Sequence, residues 1–397
     1  MALEKTYIPY GGYFSTPFCR WQGPLAEQHS IKLAASTTKH FLADRNIPVE
    51  VFDAVSLGIT VHQRQGFYGA PWLAALIGVP EITGPTISQA CATSARVVAA
   101  AALEVESGQR ECYLAVACDR TSNGPHIYYP NPKGPGALGE SENPVFDNFS
   151  KDPYGKVAMI QTAENVASAE GITMEEQNDL TLLRYEQYLD ALADDRAFQK
   201  RYMIGAELPG RKGKVTIVDA DNGIFPTTTE GLARLRPVLP EGTVTYGTQT
   251  FPADGNAGMV LCNRERAQSL SRDQAVTIQL LGFDESRVKK AMMPMAPVPA
   301  AMAALKRADV RLQDCTAIKT HNPFAVSDVY FCRQTGVAPD QMNCYGSPLI
   351  WGHPQAPTGL RALAELIEEL VIKGGGIGLF SGCAAGDTAM ALVVKVG

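Results

Sequence analysis

The chain lacks any apolar run long enough to cross a membrane. Across its 397 residues, apolar stretches meet Gly, Pro or a charge well before the roughly 18 residues that a bilayer helix needs. The opening segment, MALEKTYIPYGGY, has no apolar heart of the kind a secretion signal carries, so the cytoplasm is the expected compartment and no membrane partner is expected. No Cys-x-x-C pair occurs. The nine cysteines, at 19, 91, 112, 118, 262, 315, 332, 344 and 383, are odd in number and widely spaced. That argues against a disulfide framework and against a self-contained zinc site. No metal is therefore expected in this chain. Charge is also sparse, at 19% of residues with a formal net charge of −6. Nucleic acid is a poor partner for such a surface, and an anionic substrate would need a local basic patch.

What the sequence does contain is core-forming residues, 45% of the total. This suits a large soluble enzyme of two or three domains. Helical spacing marks 31–45, and a buried strand is expected at 53–60. A short apolar helix follows at 72–78, a strand at 83–90, an Ala-rich helix at 91–107 and a strand at 112–118. Strand–helix alternation of this kind predicts a layered α/β sheet. Residues 121–156 are rich in Gly, Pro, Asn and Tyr and read as ordered loop. The stretch 157–205 is amphipathic, and Thr173-Met-Glu-Glu176 forms a capping box. The α/β pattern resumes with strands at 257–262 and 275–281, a helix at 297–308, a strand at 314–319, a helix at 357–373 and strands at 376–381 and 388–396. Three segments of the first half recur weakly, in order, in the second, which favours two related halves with one insertion. The expected division is 1–118, an inserted loop domain 119–245, and 246–397, with 246–270 completing the first sheet.

Four positions can carry chemistry. Cys91 falls where a strand gives way to an Ala-rich helix. The free N–H groups and partial positive charge of a helix N-terminus favour a thiolate and can hold an oxyanion. On this ground alone a packing cysteine is as good a reading. His353 lies in a Gly-His-Pro turn before the 357–373 helix, where a ring can be presented to a cleft; an exposed loop histidine is the plainer alternative. His321-Asn322-Pro323-Phe324 follows the 314–319 strand. Cys383 sits in the small-residue turn SGCAAGD, where a structural cysteine also fits.

The order Cys, His-Asn-Pro-Phe, Gly-His-Pro, Cys resembles the thiolase family over nearly the whole chain. TAENVASAEGITMEEQNDL at 162–180, TTTEGLARLRP at 227–237 and GTVTYGTQTFPADGNAG at 242–258 are similar to the family's long loop motifs. The resemblance implies a five-layered α-β-α-β-α fold built from two βαβαβαββ halves with an inserted loop domain that binds coenzyme A. It implies Cys91 as the nucleophile that takes up the acyl group, His353 as its activator, and Cys383 as the acid/base at the α-carbon. His321 and His353 would form one oxyanion hole, and the backbone N–H groups of Cys91 and Ala385 the other. Thr250 would lie by the pantetheine arm, with Asn322 and Phe324 near the substrate. It further implies acyl-CoA and coenzyme A as substrates, and a homodimer or dimer of dimers.

Departures from the family pattern point away from a small acyl group. Cys-Ala-Thr-Ser replaces Cys-Gly-Ser-Gly at 91–94, HNPF stands for NEAF and is closer to the HDCF of sterol-carrier-protein-type thiolases, and the arginine before the TEGL stretch is missing. The basic run 211–214 could compensate at the coenzyme A phosphates, or be a solvated loop. These features suggest a bulky, branched or aromatic chain and resemble thiolases of aromatic-compound degradation, benzoylsuccinyl-CoA thiolase among them. That type works with a small zinc-ribbon accessory subunit, which would hold the zinc. Aromatics in 124–136 would line an acyl pocket or simply pack. Direction, thiolysis or condensation, is not encoded. A decarboxylating ketoacyl synthase is disfavoured by Cys383, and a silent scaffold by the retention of Cys91, His353 and Cys383.

Overall fold

The computed structural model describes residues 2–122, 124–210 and 213–397. Nine strands carry the architecture: β1 (Tyr7–Ile8), β2 (Ala54–Gly58), β3 (Thr86–Ile87), β4 (Cys112–Arg120), β5 (Ala253–Cys262), β6 (Ile278–Arg287), β7 (Cys315–His321), β8 (Gly376–Ala384) and β9 (Thr388–Val396). They run in the order β7-β8-β9-β6-β1-β5-β4-β2-β3, and two short strands, Tyr13–Ser15 and Cys19–Arg20, also pair with β5. The short β1 joins two half-sheets, pairing β5 on one side and β6 on the other. Each half has the same local plan. β2 lies parallel to β4, which is antiparallel to β5; β7 lies parallel to β8, which is antiparallel to β9.

Eight helices matter for the layers: α1 (Ser30–Asp44), α2 (Gly69–Ile77), α3 (Thr93–Glu106), α4 (Met159–Glu170), α5 (Met174–Arg196), α6 (Pro297–Ala308), α7 (Ala325–Thr335) and α8 (Thr358–Ile372). Successive side chains of a strand face opposite ways. Leu114 and Val116 of β4 meet Ile31 and Phe41 of α1 and Leu73 of α2 on one face. Tyr113 and Ala115 meet Val98 and Ala99 of α3 on the other. Helices α3 and α8 share that interior with Met390 and Leu392 of β9. The opposite residues of the second half-sheet, Leu379 and Val393, pack on Ala300 and Ala304 of α6. The result is five layers, helix–sheet–helix–sheet–helix, as expected. The Ala-rich 95–102 stretch is small because α3 is enclosed by two sheets and α8.

Helix α8 is buried on all sides from Thr358 to Leu370, so its charges must be paired. Arg361 donates to both oxygens of Asp221 at 2.6 and 2.8 Å. Glu365 accepts from Lys319 Nζ at 2.8 Å and from Tyr202 Oη at 2.6 Å. These buried bonds tie the segment between β4 and β5 to the central helix. Within that segment α5 opens on the expected capping box at Thr173 and Glu176, and its helical geometry breaks at Ala193.

Some expectations need correction. The 83–90 strand shrinks to β3, two residues long, because the chain turns sharply at Ala90. The helix expected from 91 begins at Thr93, which leaves Cys91 in the turn itself. Tyr128 and Tyr129, on the 124–136 segment, are exposed on a hairpin with Ser141–Glu142 and are not among the described residues lining the cavity beside Cys91. Of the basic 211–214 run, Arg211 and Lys212 lie outside the described residues. No helix among the described residues is long and apolar enough to cross a membrane.

Candidate active site

The turn at Cys91 is built by its neighbours. Ala90 has φ +44°, a region that a small side chain tolerates best. Thr93 locks the turn, accepting from Gln89 N at 2.8 Å and donating to Ala90 O at 2.7 Å. Cys91 is thereby held ahead of the first turn of α3, half-buried, with its sulfur facing the segment that precedes α8.

His353 comes from that segment. Gly352 has φ +93°, and a Cβ there would lie 2.7 Å from the Phe251 ring, so only glycine makes this approach. The His353 N–H donates to Phe251 O at 2.9 Å. Its ring is buried, with Nδ1 2.7 Å from Thr358 Oγ1 and Nε2 3.1 Å from Cys91 Sγ. Donation from Nδ1 to Thr358 leaves the Nε2 lone pair facing the thiol.

Electrostatics corrects one sequence expectation. The turn before α3 does supply N–H groups, and those of Cys91 and Ala385 favour the thiolate, but burial dominates and pushes the Cys91 thiol up to about 11, with Asp119 adding to the rise. Burial, assisted by His321, holds His353 well below the usual histidine range. The resting pair is thus neutral thiol and neutral imidazole, and the proton moves only when the sulfur attacks.

His321 ends β7, and its ring centroid lies 4.2 Å from that of His353. It is 1% exposed, and neither ring nitrogen has a hydrogen-bond partner. Burial pushes it down to about 3, so it is a neutral ring with an unused donor. Asn322 is different. Its amide donates to Asp328 at 2.7 Å and accepts from Leu349 N at 3.2 Å, which holds the strand end from behind. Cys383 is fully buried, its sulfur 3.9 Å from His321 O. Burial and then Cys91 push its thiol well above the ordinary range. Cys91, His321 and His353 offer three ligand atoms within 4.8 Å of one another.

The pair opens into a cavity of about 580 Å³ that Cys91, His353, Ala385, Thr250 and Phe324 all line. Thr250 Oγ1 donates to Pro348 O at 2.6 Å. The remaining wall is largely apolar and includes Phe149, Met159, Val238 and Met293. Sequence reasoning missed these wall residues and also Thr358, Asp119 and Ser94, which hold the His353 segment.

A half-buried thiol against an imidazole, with N–H donors beside it, suits a cysteine nucleophile that takes up an acyl group. Comparison narrows this. Residues 13–265 match the thiolase N-terminal domain and residues 274–396 the thiolase C-terminal domain; the chain belongs to the thiolase family. It is 29% identical to a beta-ketoadipyl-CoA thiolase of Pseudomonas knackmussii, covering 96% of each chain. It is 26% identical to a probable acetyl-CoA acyltransferase of Staphylococcus aureus, covering 98% of this chain and 99% of that one. Its fold superposes on the human mitochondrial 3-ketoacyl-CoA thiolase in complex with CoA with a TM-score of 0.90, at 23% identity over 100% of this chain and 99% of the other. For the Bacillus anthracis acetyl-CoA acetyltransferase the TM-score is 0.91, at 24% identity over 100% of both.

Proposed function

We propose that this thiolase cleaves a 3-oxoacyl-CoA with coenzyme A through an acyl-Cys91 intermediate, and that the acyl group is bulky, branched or aromatic. The observation that carries the reading is the 3.1 Å approach of Cys91 Sγ and His353 Nε2 at the base of an apolar cavity. Cys91 passes its proton to His353 as the sulfur attacks the 3-oxo carbon. The C2–C3 bond breaks, and its electron pair becomes the enolate of the departing acyl-CoA. Cys383 protonates that enolate at C2 and is left as thiolate. Incoming coenzyme A gives its thiol proton to Cys383 and attacks the acyl-cysteine. Cys91 leaves as thiolate and recovers its proton from His353, so every proton is accounted for.

Charge on oxygen needs donors at both stages. The Cys91 and Ala385 N–H groups serve the acyl carbonyl, and His321 with His353 serves the enolate oxygen. The unused ring nitrogens of His321 support that role. Asn322 supports the strand end, while Thr250 and Phe324 flank the pantetheine and acyl path. Benzoylsuccinyl-CoA belongs to the proposed class, since the group passing to Cys91 would be benzoyl. The reverse Claisen condensation uses the same residues.

The reading also carries a cytoplasmic homodimer or dimer of dimers, supported by Phe67 at 96% and Tyr68 at 67% exposure near the sheet-edge strand β3. A zinc-ribbon accessory subunit goes with the benzoylsuccinyl-CoA member, and co-purification with light scattering tests both. The function itself is tested by intact mass and peptide mapping after exposure to a panel of 3-oxoacyl-CoA esters. An acyl adduct on Cys91, absent from Cys91→Ala, is expected. A folded enzyme that releases acyl-CoA with no dependence on Cys91 refutes the mechanism.

A further inference from the structure

His353 is fixed at its own backbone by Phe251, yet the chain must still turn back to bring Thr358 onto its Nδ1. One residue in that turn is fastened through both of its backbone groups. The Ala356 N–H donates to Asp119 Oδ2 at 2.8 Å, and the Ala356 carbonyl accepts the Ser94 hydroxyl. Ser94 lies three residues beyond Cys91, on the first turn of α3, so it reports the position of the nucleophile's own helix. Asp119 lies near the end of β4 and accepts three more bonds. Its Oδ1 takes the N–H groups of Thr60 and Val61, each at 2.9 Å, and its Oδ2 takes the Thr60 hydroxyl at 2.6 Å. Both side chains are 1% exposed, and neither lines the cavity. The Thr60 hydroxyl, whose single proton is shared with Asp119, also lies 3.0 Å from Gln355 Oε1 of the same turn.

We propose that Asp119 and Ser94 are positioning residues that set the approach of His353 to Cys91 by clamping the backbone of Ala356 between the nucleophile's helix and the first half-sheet. The backbone of this one residue is bound on both sides, and the two anchors lie on the helix that follows the Cys91 turn and on the strand beside it. A shift of the turn changes the separation of the imidazole base and the sulfur directly, and proximity of reacting groups is steep in distance.

The proposal rests on Cys91 and His353 being the working pair, but its test needs no substrate. The readout is the rate of Cys91 carbamidomethylation by iodoacetamide in the full-length enzyme, followed at that peptide by mass spectrometry. Asp119→Asn replaces the Oδ2 acceptor with a donor facing the Ala356 N–H. It is expected to slow Cys91 alkylation by about tenfold or more, with circular dichroism unchanged. In steady state kcat falls by a similar factor while the KM for coenzyme A stays within about twofold. Ser94→Ala, a milder change, is expected to move both quantities in the same direction by a smaller factor, and it decides the matter if Asp119→Asn does not fold. Folded variants that alkylate at the wild-type rate overturn the proposal. So does a loss of rate that matches a loss of folded protein.

Discussion

A carboxylate at the far end of the acyl chain should cost this enzyme most of its activity. The proposed acyl path is walled by Phe149, Met159, Ile160, Val238, Met293 and Phe324, and no Lys or Arg is among the described residues lining the cavity. Of the polar groups that do line it, Thr250 donates to Pro348 and His353 faces Cys91, which leaves only the neutral Tyr246 and Gln249 among the described lining residues to meet a carboxylate. An ion buried without a partner carries a penalty of several kcal/mol. Water can follow it through the open end of the cavity, so about 3 kcal/mol is a reasonable share. At roughly 1.4 kcal/mol per factor of ten, that is about 150-fold in kcat/KM. The comparison is between 3-oxohexanoyl-CoA and 3-oxoadipyl-CoA, equal in chain length and differing in the terminal group. Benzoylacetyl-CoA serves as the aromatic member, and acyl-CoA products are quantified by mass spectrometry at fixed coenzyme A. The named activity of the Pseudomonas relative makes the outcome informative. If 3-oxoadipyl-CoA is cleaved within about threefold of 3-oxohexanoyl-CoA, the argument from the wall's charge is wrong. Val238→Lys, which adds a cation to that wall, should then be neutral rather than favour the dicarboxylic substrate.

Other perturbations follow from the same geometry. His321→Ala removes a donor with no protein partner, so kcat should fall by about 10²–10³ with KM little changed; a loss under about threefold would remove His321 from the oxyanion site. Cys383→Ala should still acylate at Cys91 but should no longer exchange the C2 protons of acyl-CoA in deuterium oxide, read by mass. Burial pushes Asp119 up to about 7, and the groups whose titration it faces are Cys91 and Cys118. As pH falls through about 7 the carboxylate gains a proton and loses an acceptor for the Ala356 N–H. Cys91 alkylation should therefore show an acid limb near that pH which Asp119→Asn lacks, whereas His321, down at about 3, contributes none. Arg361→Met leaves the buried Asp221 carboxylate without its cation and should destabilise the fold by about 3–5 kcal/mol, read as a lowered Tm in calorimetry.

The residues proposed to react could be singled out in the sequence because each sits on a local backbone device, and such devices leave marks. His353 needs the positive φ of Gly352, His321 needs a strand end, and Cys91 needs a strand-to-helix turn. Regular elements were legible for the same reason: the 297–308 helix and the Thr173 capping box depend on neighbours within a few positions. Burial is not local. A sequence shows the N–H groups ahead of α3 but not the layers that enclose them, so it misjudges the direction in which the Cys91 thiol is shifted. Positioning residues are the least legible of all. Asp119 and Ala356 stand 237 residues apart, and Ser94 and Ala356 stand 262 apart, with nothing in either segment to announce the other. Ser94 was visible only as a departure, the serine in Cys-Ala-Thr-Ser where the family pattern has glycine. A hydroxyl gained there makes a bond that glycine cannot, to the turn that carries His353. The departure therefore points to a different way of holding the proposed catalytic pair rather than to a weakened one.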